Sequence, residues 1–235
     1  MQRTKCFESS ALRFYGRRSG HALSKRKRDL IREVLPSLLI DPNVSDIFSP
    51  SQLFKPDTEI WMEIGFGAGE HLAYQALKNP EIGFIGCEPY VNGVASLLDH
   101  IDKKCLSNIR IYNDDVRKLI KKSEPMQLNQ VFLFFSDPWP KKRHHSRRFV
   151  NNENLSALSS AMKPGAKLKF SSDNNDFVRW SLYQFYKHQD FDWLDEEHKD
   201  WSMSFDSSIV TRYESKAIKG GRSCVYFTFQ KHKQS

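Results

Sequence analysis

The chain has 235 residues, enough to bury a full hydrophobic core, and its 39% hydrophobic and 27% charged residues are those of a globular protein rather than of a disordered one. No apolar run reaches the roughly 18 residues of a membrane-spanning helix, the first ten residues hold no apolar core, and Cys6, Cys87, Cys105 and Cys224 form no CxxC pair, so a membrane anchor, a secretory leader, a zinc ribbon and a disulfide framework are not expected and a cytoplasmic location is. Lys and Arg total 36 against 28 acids, a net +8, and residues 1–28 set nine basic residues against Glu8 alone, so the whole excess lies in a basic N-terminal arm on a neutral body.

Within that arm Gly16 and Gly20 lie among Arg17, Arg18 and His21 without helical periodicity. A helix is predicted from Ser24, a good N-cap, to about Leu35, stopping before Pro36. Pro42, Pro50 and Pro56 mark residues 41–58 as a connector. From residue 59 strands and helices alternate. Residues 59–64 (EIWMEI) read as a strand, followed by a glycine loop and a helix over 70–79. Strands at 83–87 and 109–112 enclose a helix at 91–104, and a short helix follows at 116–122. The unbroken apolar run 131–135 (VFLFF) fits a central strand buried on both faces. A helix over 151–162 is expected to end in a Lys-Pro-Gly turn at 163–165, ahead of a strand at 167–170. Residues 177–188 read as a helix, the acidic stretch 190–200 as a surface insertion, and 225–229 as the last strand. This alternation predicts a doubly wound α/β sheet. The chain divides into the arm, 1–28, and a single domain, 29–235.

The loop Gly65-Phe66-Gly67-Ala68-Gly69 follows a strand and opens a helix, and Glu88 stands at the next strand end, 21 residues after Gly67. Glycines allow a sharp turn and close ligand approach, and an acid at that second position can accept both ribose hydroxyl protons. No Walker lysine follows, so NTP hydrolysis is not expected. Glu63, beside the loop, would repel a pyrophosphate. It suits a cationic ligand such as S-adenosylmethionine, with its sulfonium and amino groups. After the third strand come Asn113-Asp114-Asp115. Asp114 is the better candidate to accept from an adenine amino group, because Asp115 would start the following helix.

The central strand leads into Ser136-Asp137-Pro138-Trp139-Pro140. Ligands in open α/β sheets bind outside the carboxyl ends of the strands, so Asp137 should face the crevice of the glycine loop. Trp139 could stack on a base or simply pack. Residues 141–148 (KKRHHSRR) then add five positive charges and no acid. Two basic clusters far apart in sequence point to a polyanion touching the protein at two places. Asp173 is either a further rim acid or a cap for the helix near Asn175. Residues 210–216 (VTRYESK) mix a hydroxyl, cations and an acid of the kinds that read a base edge and its phosphate, although such polar loops are commonly just exposed.

Taken in order, EIGFGAGEH (63–71), GCEPY (86–90), FSDPWPKKRHHSRR (135–148), SSDN (171–174), TRYESKAIKGG (211–221) and the basic FYGRRSGHALSKRKRDL (14–30) resemble the bacterial tRNA (guanine-N7)-methyltransferase family. The match spans nearly the whole chain, and the 135–148 block is its most specific part. The resemblance implies a Rossmann-like, S-adenosylmethionine-dependent methyltransferase fold, mostly parallel with an antiparallel C-terminal strand. It implies methylation of N7 of a guanosine in the variable loop of tRNA. Glu63, Gly65, Gly67, Gly69, Glu88, Asn113, Asp114 and Asp137 would bind the donor, with Asp137 also catalytic. Lys141, Arg143, Arg147, Arg148, Asp173, Thr211, Arg212, Tyr213 and Glu214 would bind the tRNA, the cations of the 141–148 block holding phosphates. No metal, membrane or obligate protein partner is expected. One departure stands out: Ser136 replaces a proline common in the family, which should slightly loosen the turn.

Guanine N7 carries a lone pair and no proton, so no general base is required. Placement of N7 against the methyl group can supply much of the rate, and a carboxylate near the ring can stabilise the positive charge that develops. Two other readings compete: a non-catalytic RNA-binding module on the same fold, and a methyltransferase for another nucleic acid or for protein. A dehydrogenase fits worst, because of Glu63.

Overall fold

The alternation of apolar strands and amphipathic helices closes into one sheet. A computed structural model describes residues 13–41, 47–194, 201–205 and 209–232. In chain order the elements are α1 (Lys25–Glu33), α2 (Leu35–Leu38), β1 (Ile60–Ile64), α3 (Glu70–Lys78), β2 (Gly83–Cys87), α4 (Val91–Lys104), β3 (Ile109–Tyr112), α5 (Val116–Ile120), β4 (Leu128–Phe134), α6 (Asn152–Ala161), β5 (Met162–Ser172), α7 (Asn175–Lys187), β6 (Phe191–Trp193), α8 (Arg212–Lys219) and β7 (Val225–Lys231). The sheet order is β3-β2-β1-β4-β5-β7-β6. Strands β1 to β5 are parallel, and β7 is antiparallel to both of its neighbours.

Both faces of the sheet are covered, which is why its strands are apolar at successive positions. Phe84 and Ile111 face a cluster with Leu30, Leu72 and Leu98 from α1, α3 and α4. Ile85 and Tyr112 face the other cluster, with Leu119, Leu155 and Phe177 from α5, α6 and α7. Each such large side chain contributes roughly 1.5–3 kcal/mol on burial. Register sets the functional rim. Ile64 lies opposite Cys87 and Leu133, and Cys87 opposite Tyr112, so the carboxyl ends of β1, β2, β3 and β4 are level. The chain winds outward from β1 in both directions, and the crevice at that reversal is where ligands bind in such sheets. No described helix is long and apolar enough to cross a membrane.

Five local expectations change. Pro36 does not end the helical region: it sits in the first turn of α2, where a missing N–H costs nothing. The Lys-Pro-Gly segment is no free turn but a bulge in β5, which pairs Leu128 with Met162 and then Gln130 with Lys167, with Gly165 at φ 79°. The acidic stretch is no plain insertion, since Phe191–Trp193 is the sheet's edge strand, with Phe191 buried. Residues 195–200 of that stretch lie outside the described residues, as do 1–12 of the arm. The polar 210–216 segment is no loop: from Arg212 on it belongs to a helix, α8. The boundary drawn at residue 28 falls inside α1.

The described part of the arm is fastened to the domain. The Val91 amide donates to the Arg18 carbonyl (2.9 Å), and the Gly20 amide donates to Asn92 Oδ1 (2.8 Å). Asn92 donates back to the His21 carbonyl (2.8 Å), and Arg26 pairs with Asp99 (2.8 Å) and Asp102 (2.7 Å).

Candidate active site

The glycine loop leaves β1 with Gly65, Gly67 and Gly69 all in the left-handed region, at φ 73°, 58° and 82°. A side chain would be strained at each. The loop is also crowded from outside. A Cβ on Gly93, in the first turn of α4, would come within 2.2 Å of the Gly67 carbonyl oxygen. Loop and helix end therefore pack backbone to backbone. Glu88 ties this corner together: its Oε2 accepts from the Gly67 amide (2.9 Å) and its Oε1 from the Tyr90 amide (3.0 Å). Burial raises the Glu88 carboxyl above the ordinary range; the Tyr90 and Gly67 amides pull it down, and Asp137 and Glu63 push it up again. Glu63 is buried on β1, and its Oε2 lies 2.8 Å from His71 Nδ1. The His71 ring is wedged edge-on against Phe132 and Phe134.

At the end of β3 the three polar residues divide their work. Asn113 donates to the Glu88 carbonyl (2.7 Å). Asp115 is the N-cap of α5, accepting from the Arg117 amide (3.1 Å). That leaves Asp114, whose Oδ1 accepts from Arg18 of the arm (2.9 Å) and Oδ2 from Lys118 (2.6 Å). Burial opposes its ionisation, yet hydrogen bonds from Lys118, the Asp115 amide and Arg18 win and hold the carboxyl below its ordinary value.

The turn after β4 is strained on both sides of Asp137. Phe135 has φ 49° and Trp139 φ 41°, positive values that cost an L-residue roughly 1–2 kcal/mol each. Asp137 is open to solvent at the mouth of the crevice, and the protein crowding it raises its carboxyl above the ordinary range. The Ser136 hydroxyl is buried with no hydrogen bond among the described residues. Trp139 meets Tyr15 of the arm edge-on, and the Arg147 guanidinium lies 4.1 Å from the Tyr15 ring centre and 5.0 Å from that of Trp139. The arm thus reaches from the end of β3 to the turn after β4.

Helix α8 closes the remaining side. Thr211 and Glu214 form a reciprocal capping box: the Thr211 hydroxyl accepts from the Glu214 amide (3.2 Å) and Glu214 Oε2 from the Thr211 amide (3.3 Å). Glu214 is buried and also accepts from the Tyr226 hydroxyl. This anchors Tyr213 over the glycine loop, where a Cβ on Gly67 would meet Tyr213 Cε2 at 3.0 Å. Burial, Glu88 and Asp137 together raise the Tyr213 phenol. Arg212 pairs with Glu70 at the start of α3 (3.1 Å).

Gly65, Gly67, Gly69, Glu88, Asp137 and Tyr213 thus meet around one crevice, with Asp114 farther along the rim. Glu63 lies beneath it, on His71. Lys141 and Arg143 are exposed beyond the turn. Asp173 does not cap α7: Asn174 does, and Asp173 accepts from Arg222 (2.7 Å). Arg148 departs from its expected place. It is only 1% exposed and donates to the Pro138 carbonyl (2.7 Å), so it presents no charge to a phosphate. Sequence reasoning missed His71, Tyr15 and the pairing of Arg18, none of which has a local signal; the capping box, T-x-x-E at 211–214, was legible. Among the described residues no three His, Cys, Asp or Glu side chains group as metal ligands.

The doubly wound sheet and a glycine loop backed by strand-end acids form a nucleoside-binding type of crevice, and the match of most of the chain to a methyltransferase family sets its class as a methyltransferase. The family model described as "Putative methyltransferase" matches residues 57–227. A tRNA (guanine-N(7)-)-methyltransferase of Rhizobium etli is 41% identical over 93% of this chain and 95% of its own length. One of Agrobacterium fabrum is 42% identical over 92% and 94%. The chain belongs to the tRNA (guanine-N7)-methyltransferase family. The fold is shared more widely: an rRNA methylase of Streptococcus thermophilus superposes with a TM-score of 0.51 at 11% identity, covering 75% of this chain and 89% of that one. The 16S rRNA methyltransferase KamB superposes at 0.50 and 12% identity, covering 74% and 88%.

Proposed function

We propose that this protein transfers a methyl group from S-adenosylmethionine to N7 of a guanosine in the variable loop of tRNA. The observation that carries the reading is the crevice itself, where Glu88, held by the Gly67 and Tyr90 amides, stands beside the left-handed glycine loop. An acid at that place suits a cationic ligand and disfavours a pyrophosphate. The donor, when bound, supplies an electrophilic methyl group on a positively charged sulfur.

The chain's own residues do the rest. The glycine loop and Glu63 form the floor of the donor site, Glu88 accepts from the ribose hydroxyls, and Asn113 and Asp114 define the adenine end. Asp137 faces the guanine and stabilises the positive charge that N7 alkylation creates, or orients the guanine edge for it. No residue needs to remove a proton before transfer. Lys141, Arg143 and Arg147 hold phosphates, and Asp173, Arg212 and Tyr213 border the base; Thr211 and Glu214 act through the fixed start of α8. A tRNA substrate makes the cytoplasm the working compartment.

Cleavage mapping tests this reading. A 7-methylguanosine makes RNA labile to borohydride followed by aniline. Unmodified tRNA treated with protein and donor is expected to cut at a single variable-loop position. Intact RNA would overturn the proposal; a cut elsewhere would overturn the assignment to the variable loop.

A further inference from the structure

The Asp137 turn holds two left-handed residues, Phe135 and Trp139, neither of them glycine. Such a turn keeps its shape only where its surroundings over-determine it. On one side the Phe135 amide donates to the Ser171 carbonyl (2.9 Å). On the other side stands Arg148. Its Nε donates to the Pro138 carbonyl (2.7 Å), and its Nη2 reaches the Trp139 carbonyl (3.5 Å) and pairs with Asp176 in the first turn of α7. The guanidinium lies 5.1 Å from the ring centre of Trp180 and 5.7 Å from that of Phe177.

We infer that Arg148 is a positioning residue for Asp137: its buried guanidinium, anchored by Asp176, grips the carbonyls of the next two residues and fixes the direction in which the Asp137 carboxylate leaves the turn. The inference rests on the assignment of Asp137 to the methyl-transfer step. A planar guanidinium can serve a carbonyl and a carboxylate at once in fixed directions, whereas a lysine ammonium is a single point with no such fork. Arg148 stands next to Arg147 in sequence but differs in kind. Arg147 lies between two rings at the surface, while Arg148 is sealed behind the turn. A displacement of about 1 Å at a reacting group can cost on the order of a hundredfold in rate.

The test compares Arg148→Lys with wild type in steady-state methylation of tRNA. The expected result is a kcat lower by about 10- to 100-fold, with donor and tRNA dissociation constants within about twofold and an unchanged salt slope of tRNA binding. A phosphate contact would do the reverse, raising KM and flattening the slope by about one with kcat kept. Asp176→Asn is the second variant. Its side chain is 64% exposed, so the fold should survive, and kcat should drop about three- to tenfold. A combined Asp137→Asn and Arg148→Lys variant separates positioning from general destabilisation. If Arg148 acts through Asp137, its loss adds little once Asp137 is replaced; independent effects would multiply. An active wild type with kcat kept within about twofold in both single variants, or with multiplying losses, overturns the inference alone. A wild type that methylates no tRNA removes the reading beneath it.

Discussion

Arg18, in the basic arm, donates to Asp114, at the end of β3, across a distance of 2.9 Å. The arm is therefore fastened to the rim where the proposed function places the adenine end of the donor, although its composition alone describes it as a solvated polyanion-binding tail. On the proposed function, this pair would link the holding of RNA to the shape of the donor site.

The pair is half exposed on the arginine side, and exposed ion pairs contribute about 0–1 kcal/mol. Arg18→Ala should thus shift the melting temperature by no more than about 4 °C. Donor affinity should fall about three- to tenfold, roughly what 0.7–1.4 kcal/mol of lost orientation at Asp114 would do. Calorimetry of donor binding checks this; unchanged affinity would remove the arm from the donor site.

Glu88 sets a pH dependence. Its carboxyl lies above the ordinary range, chiefly through burial. A cationic donor binds the ionised form, so affinity is full above that raised value and lost as pH falls through it. Unliganded stability has the opposite sign: a raised folded-state pKa favours folding at low pH, and that contribution is lost as pH rises through it. Donor should therefore raise the melting temperature more at about pH 7 than at about pH 5, and Glu88→Gln should flatten the difference. Equal protection at both pH values in wild type would contradict the assignment.

The capping box gives a third test. Thr211→Ala should destabilise by about 1 kcal/mol, the usual value of such a cap. It should also loosen Tyr213 above Gly67 and raise KM for tRNA about three- to tenfold, some 0.7–1.4 kcal/mol of binding. Thermal melting and steady-state kinetics on the same variant decide it; a destabilised enzyme with unchanged KM would detach α8 from the substrate side.

What was legible in the sequence follows from which interactions are local. The strands and their order along the chain follow from apolar runs and glycine punctuation, and the place of Asp115 at the start of a helix follows from its position just before residues 116–122. Helix α8 was hidden because its apolar face rests on Tyr213, Ala217 and Ile218 alone, within eight residues, even though Thr211 and Glu214 carry a capping signature. Arg147 and Arg148 could not be told apart, since a short 3-10 turn of six residues has no periodicity to say which one turns inward. Nor could the partners of Arg18, Glu63 and Asp173. Those contacts join residues distant in sequence or on different elements, and only the packed sheet brings them together.

Phosphate docking has its own signature. Lys141→Ala and Arg143→Ala should each reduce the slope of log affinity against log salt by about one, with kcat nearly unchanged. Both side chains are exposed beyond the turn. Titrations of tRNA at several salt concentrations check this; a slope that does not move would take the 141–148 cluster out of RNA binding.

Nucleoside analysis of unmodified tRNA, after incubation with the protein and methyl-labelled S-adenosylmethionine, tests donor, substrate and reaction together. Label should appear as 7-methylguanosine, and Asp137→Asn should lower its rate of formation by at least about tenfold, or 1.4 kcal/mol of transition-state stabilisation. Label in another nucleoside, no label at all, or full activity in Asp137→Asn would contradict the proposed function.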